Sequence, residues 1–275
     1  MSPLLSDPLI VRALLGALVA GLAAAMARRA GGLTAGGQWA AFATGTLVTA
    51  AGWWWAVMLL AYYVASTLLT RLGRETKTAR TESVLPTARE RSAPQVFANG
   101  GLFALAVLLG EILADPRLQL AGLGALAAAA ADTWATEIGM LWGRTPRSIL
   151  TGRVLPVGVS GGVTIIGTAA AVIAAGLFAL VAARLIPEGI NGVPVTDAVL
   201  LAGLGGSLAD SLLGATFQSK RWCEQCRTWT ERRVHTCQYR TRHARGLRWM
   251  TNDTVNFLAT VAGAAIAVAA SGAAR

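Results

Sequence analysis

Charge is scarce in this sequence: 14% of its 275 residues are charged, against roughly 25% in a soluble domain. A large soluble helical protein needs charged outer faces on amphipathic helices, and no such stripes run along this chain. Cysteine is scarce too, with three in all, which excludes a disulfide-stapled secreted scaffold. No Gly-Lys-Ser/Thr sequence closes a glycine-rich loop, so a Walker-type phosphate site is excluded. Acids are the rarer sign of charge, 14 against 24 Lys and Arg.

What is abundant is unbroken apolar chain. Hydrophobic residues make up 54% of the sequence and fall in blocks, as in Leu9 to Ala27, Trp53 to Thr70, Leu118 to Ala131, Gly161 to Ala183 and Phe257 to Ala270. A helix crosses the hydrocarbon core with about 20 apolar residues, and these blocks reach or approach that length. The expected fold is therefore all-α: a single-domain (1–275) polytopic transmembrane bundle of about eight helices, seven to nine being possible. The expected spans are 9–27, 38–52, 53–70, 97–113, 118–142, 161–184, 196–217 and 252–272. The second and third meet at Gly52-Trp53-Trp54-Trp55, which reads as a tight hairpin with aromatic residues at the interface. The first block lacks a basic leader and is followed by Arg28 and Arg29, so it reads as a retained helix rather than a cleaved signal.

Placing the N-terminus outside makes 28–37, 71–95, 143–160 and 218–251 cytoplasmic, and these loops carry 20 of the 24 Lys and Arg residues. The positive-inside rule favours that orientation in a cell membrane. The net charge of +10 then serves topology and attraction to anionic lipid headgroups. No nucleic-acid partner is needed to explain it.

Asp132, Glu137 and Asp210 fall within apolar spans, where a carboxylate costs around 2.5–3.5 kcal/mol and usually serves a polar interior. At about 100° per residue, Thr136, Thr133 and Glu137 lie roughly 40°, 100° and 140° from Asp132. Relative to Asp210, Gly214, Ser207, Gln218 and Ser211 fall within about 100°. In the last span Asn252, Asp253, Asn256 and Thr260 occupy a similar arc. All three stripes lie toward the cytoplasmic ends of their spans, where an enzyme working at the inner interface would place its site. A transporter places its polar site nearer the midplane. Ala131-Asp132-Thr133 and Ala209-Asp210-Ser211 also form a faint internal echo on spans of the same direction.

The loop after Glu137 supplies Arg144 and Arg147, then Ser160, Gly161 and Gly162 before the sixth span. Exposed backbone N–H groups in a glycine turn at a helix start suit phosphate. Arg89, Arg91, Gln95 and Asn99 cluster around the start of the fourth span, where substrate binding and plain topogenic charge are both open readings. Cys223, Cys226, His235 and Cys237 form C-x2-C-x8-H-x-C, half of which has the spacing of a structural zinc site.

The segments ANGG, ADTWATEIG, PVGVSGGVT, GSLADSLLGATFQ, the CxxC loop and RWMTNDTVNFLAT together resemble the integral membrane family catalogued as domain of unknown function 92. That family includes phytyl-phosphate kinases and the animal transmembrane protein 19 group, and is similar in turn to CTP-dependent dolichol and phytol kinases. The resemblance spans nearly the whole chain. It implies phosphoryl transfer from a nucleoside triphosphate, such as CTP, to a prenyl monophosphate. In that reading Asp132, Glu137 and Asp210 are catalytic and hold Mg²⁺, with Asp253 as a further ligand. Arg144, Arg147, Ser160, Gly161, Gly162, Thr133, Ser211 and Gln218 bind the nucleotide phosphates. Arg89, Arg91, Gln95, Asn99, Asn252 and Asn256 bind the lipid substrate. A phosphate monoester with second pKa about 6 needs no strong base, so catalysis rests on aligning two polyanions and neutralising their charge. A lipid nucleotidyltransferase and a transporter or flippase for an anionic lipid are the alternatives.

Overall fold

The computed structural model describes residues 8–86, 90–187, 189–190 and 194–272, and within them the chain is a helical bundle. Eight helices are long: α1 (Pro8–Arg29), α2 (Ala35–Ala51), α3 (Trp53–Arg71), α5 (Ala93–Ile112), α6 (Pro116–Trp142), α7 (Ile165–Leu185), α8 (Thr196–Thr216) and α9 (Asn252–Gly272). Six of them, all but α2 and α6, are long and apolar enough to cross a membrane by length and composition alone. Helix α2 has only 17 residues, and α6 carries the carboxylates Asp132 and Glu137. The hairpin at Gly52 is present, with φ 156° at the glycine. Its aromatic residues divide: Trp53 and Trp54 face outward, while Trp55 is buried edge-on against Phe103.

Helix α6 is the axis of the bundle and packs against α5, α7, α8 and α9. Its run Ala125–Ala131 is almost completely buried. Leu14, Leu18, Leu22, Ile173 and Leu180 instead lie on the outside. This inverts the soluble pattern. Lipid is as apolar as leucine, so helices associate through close packing of small side chains. Gly124, Gly206 and Gly263 are the contact points: a Cβ at Gly206 would stand 2.3 Å from that of Ala128, and one at Gly263 would stand 2.6 Å from it.

All the sequence-predicted polar loops gather at one face. They are more structured than an apolar pattern foretells, since they contain no membrane span. Helix α4 (Arg74–Thr81) lies within 71–95, and Arg80 donates to the carbonyls of Met140, Leu141 and Gly143, capping the end of α6. Strands β1 (Arg147–Ser148) and β2 (Gly162–Val163) pair antiparallel. In 218–251, β3 (Lys220–Cys223), β4 (Thr228–Thr230) and β5 (Arg242–Arg245) form an antiparallel sheet in the order β4-β3-β5.

Candidate functional site

Helix α6 brings Asp132 about 24 Å along its axis and α8 brings Asp210 about 21 Å along its own, so both carboxylates lie toward the polar face. They border one cavity of about 490 Å³, whose wall also includes Thr133, Ser211 and Gln218. Gln95 and Asn99 from α5, and Asn252 and Asn256 from α9, complete it. Four helices whose polar stripes are far apart in sequence thus converge on one space. Asp210 is close enough to Asp132 and to Glu231 for the charge of each to act on it.

Glu231 carries no sequence motif, and the apolar pattern misses it. Its only sequence signal is that it is one of two acids in the basic stretch 218–251. The chain after β4 returns to the bundle, where the Glu231 N–H and the Thr230 hydroxyl both donate to the Val84 carbonyl. Oε1 of Glu231 accepts from the Ser160 hydroxyl at 2.6 Å and from the Gln218 amide at 2.8 Å. Burial pushes the Glu231 carboxyl above its usual range, opposed by the Ser160 hydrogen bond and the Lys220 charge. Lys220 donates to the Ser160 carbonyl at 2.8 Å. Its own pKa is lowered by burial and by Arg245, against the pull of Glu231.

The glycine turn meets the end of α8. Gly161 has φ +83°, and a Cβ there would approach the Ala215 backbone within 2.6–2.8 Å, so only glycine fits. Ser160, Gly161 and Gly162 all line the cavity. The turn is not the open helix start expected from the sequence, however. Helix α7 begins later, capped by Thr164, whose hydroxyl accepts from Gly167 N–H. The Gly162 N–H is already directed at the Val159 carbonyl.

Three other expected site groups lie apart from this cavity or are already engaged. Arg144 and Arg147 are exposed and border neither cavity, because β1 directs Arg147 outward to the Gly152 carbonyl. Asp253 is half-buried and does not line the cavity that its neighbour Asn252 borders. Glu137 does border the cavity, but its Oε2 is bonded to Lys77 Nζ at 2.5 Å and its Oε1 accepts from the Thr70 hydroxyl at 2.7 Å. It is a neutralised ion-pair partner in this arrangement rather than an open cation ligand. Arg89 lies outside the described residues.

The cations adjoining the acids come instead from the 71–95 segment. A second cavity of about 650 Å³ carries Arg71, Arg74 and Lys77, and shares Arg91, Glu90, Thr70 and Glu137 with the first. Arg91 stacks on Tyr63 at 5.3 Å from the ring centroid. On the far side of the first cavity the lining is apolar: Ala171 and Val172 of α7, Leu204 and Leu208 of α8. Val172 and Leu208 are 46% and 51% exposed. The two helices touch tightly at Ala175 and Gly203, about one turn away.

Comparison with known proteins agrees with a membrane assignment. The profile of the family described as integral membrane protein DUF92 matches residues 18–264. An uncharacterized membrane protein of Methanocaldococcus jannaschii is 33% identical over 161 residues, 58% of this chain and 63% of that one. Protein PGR of Arabidopsis thaliana is 30% identical over 235 residues, 77% of this chain and 81% of that one. Protein VTE6, chloroplastic, also from Arabidopsis thaliana, is 26% identical over 244 residues, 86% of this chain and 65% of that one. The chain thus spans less than two thirds of the length of two of these relatives. No solved structure matches significantly.

Proposed function

The chain belongs to the integral membrane protein family DUF92, and from that premise we propose that it is a membrane-embedded prenyl-phosphate kinase. It transfers the terminal phosphoryl group of a nucleoside triphosphate, CTP among the candidates, to a prenyl monophosphate. The observation that carries this reading is the composition of two adjoining cavities. Acids on α6 and α8 share the first with Arg91, the second adds Arg71, Arg74 and Lys77, and apolar residues of α7 and α8 line the far side of the first. A lipid phosphate entering from the bilayer would lay its chain against Val172 and Leu208 and its phosphate among the polar groups. The triphosphate would sit in the adjoining basic cavity, where Arg71, Arg74 and Arg91 offer positive charge that Arg144 and Arg147 do not.

The acceptor is ionised near neutral pH, so these residues have to position and screen rather than deprotonate. Asp132 and Asp210 are the carboxylates suited to hold Mg²⁺, since Glu137 is already paired with Lys77. When bound, Mg²⁺ would neutralise charge on the phosphates and the leaving group. Asn99, Asn252 and Asn256 supply polar contacts to the acceptor headgroup. Glu231, Ser160 and Gln218 hold the glycine turn and the 218–251 segment together across the cavity and limit its water. The site lies on the cytoplasmic face of a cell membrane, with the N-terminus outside, as the distribution of arginine favours.

The test uses full-length protein in lipid vesicles with prenyl monophosphate, Mg²⁺ and nucleotide labelled at either the alpha or the gamma phosphate. Gamma label is expected in a lipid diphosphate. Asp132→Asn and Asp210→Asn should insert normally and lose activity by roughly 10²–10³-fold, the scale on which removal of one preorganised electrostatic group acts. Alpha label in the lipid would replace the kinase with a nucleotidyltransferase.

A further inference from the structure

We propose that Cys223, Cys226, His235 and Cys237 bind one structural zinc ion, which fixes the 218–251 segment over the cavity. The inference concerns metal binding alone and stands whether or not the chain transfers phosphate.

Two turns carry the four side chains. The first joins β3 to β4: Cys223 pairs with Thr228 across the ladder, and Arg227 at φ +48° brings Cys226 back beside Cys223. The second is closed by the bridge between Val234 and Arg240, by His235 N–H donating to the Tyr239 carbonyl at 3.0 Å, and by Gln238 N–H donating to the His235 carbonyl at 2.9 Å. Gln238 has φ +66°. Each turn therefore holds a non-glycine residue in the left-handed region, a conformation that persists only where its surroundings enforce it. The turns face each other, each presenting two donors.

The spacing of the donors matches a tetrahedral ion and no covalent alternative. One ligand atom from each residue lies within 4.8 Å of all the others. Cys223 Sγ and Cys237 Sγ are 3.6 Å apart, and His235 Nδ1 is 3.3 Å from Cys237 Sγ. A tetrahedral site with Zn–S bonds of about 2.3 Å has S···S edges of about 3.8 Å. A disulfide would need about 2.05 Å, and all three cysteines are free. His235 is buried, and its Nε2 has no hydrogen-bond partner among the described residues. Nδ1 is the ring nitrogen that faces the sulfurs, and coordination through it would anchor the ring. Three thiolates and one imidazole with no open position form a closed structural set, and mixed S/N donors select zinc.

The segment needs such a centre. It spans 34 residues with nine Lys and Arg against two acids, and chains below about 40 residues seldom hold themselves together without a metal, a disulfide or a partner. Three thiolates with one divalent ion leave a local charge of −1, which offsets part of the basic repulsion. Glu231 lies in the chain between the two turns, and Lys220 on the strand that enters the first. Fixing the turns fixes both groups.

The test is metal analysis of full-length protein purified in detergent without added metal. About one zinc per chain is expected, released when a mercurial reagent titrates the thiols of the wild-type protein. Removing the metal should also open 218–251 to trypsin at Arg227 or Arg233. Cys223→Ser with Cys226→Ser should lose the zinc, and the wild-type release measurement decides the matter even if that variant fails to accumulate. Protein free of zinc, iron in its place, zinc that survives thiol titration, or a double variant that keeps its zinc would each overturn the proposal.

Discussion

Lys77 is 93% buried at its side chain, yet it makes three hydrogen bonds, to the Leu69 and Thr70 carbonyls and to Glu137. It closes the end of α3 and pins it to α6 with one ammonium. Removing one member of a buried pair costs roughly 3–5 kcal/mol, because the other charge is left without a partner. Lys77→Met should therefore lower the thermal midpoint more than Glu137→Gln, which leaves Lys77 its two carbonyls and keeps a polar amide beside Thr70. In the transfer assay, Glu137→Gln should retain activity within about tenfold while Asp132→Asn falls much further; equal losses would return Glu137 to the cation-binding set. Residue-scale legibility follows the same physics. Asp132 and Asp210 stand out in the sequence because an acid in an apolar run is costly, and Thr133, Ser211 and Gln218 follow from helical period. The placement of Arg144, Arg147 and Glu231 is not legible, because loop side chains obey no period, and only the fold of the loop aims them.

At the scale of elements, the bundle depends on helices that approach through their backbones. Gly206 faces Ala128 and the Ala259 carbonyl, whereas Gly176 on α7 has nothing within 4 Å of where its Cβ would stand. Gly206→Val should cost about 1–3 kcal/mol or more through overpacking, and Gly176→Val should leave the detergent-solubilised melting temperature nearly unchanged. A comparable shift for both would mean that α6, α8 and α9 do not pack at this seam. The eight long helices are legible because each is a block of apolar residues. Helix α4 and the β4-β3-β5 sheet are not, since short polar elements are set by turns and tertiary contacts instead of by a hydrophobic repeat. The start of α7 shows how boundaries slip: Gly161 and Gly162 continue an apolar block in the sequence, but the left-handed backbone at Gly161 and the Thr164 cap begin the helix later.

For the whole molecule, the four basic segments meet at one face, as contacts between Thr34 and Arg91, between Arg80 and Gly143, and between Ser160 and Glu231 attest. Reporter fusions at Arg80, Arg147 and Arg233 should all report the cytoplasm, and a fusion at Gly189 the opposite side; a cytoplasmic signal at Gly189 would invert the orientation. The apolar wall that α7 and α8 give the first cavity has a further consequence. If a lipid phosphate enters along that wall, as the kinase proposal requires, the protein samples a two-dimensional solution, and the concentration it experiences is the mole fraction of acceptor among lipids. Adding inert lipid at constant total acceptor would slow the reaction as surely as removing substrate. The aqueous volume around the vesicle would matter only to the nucleotide.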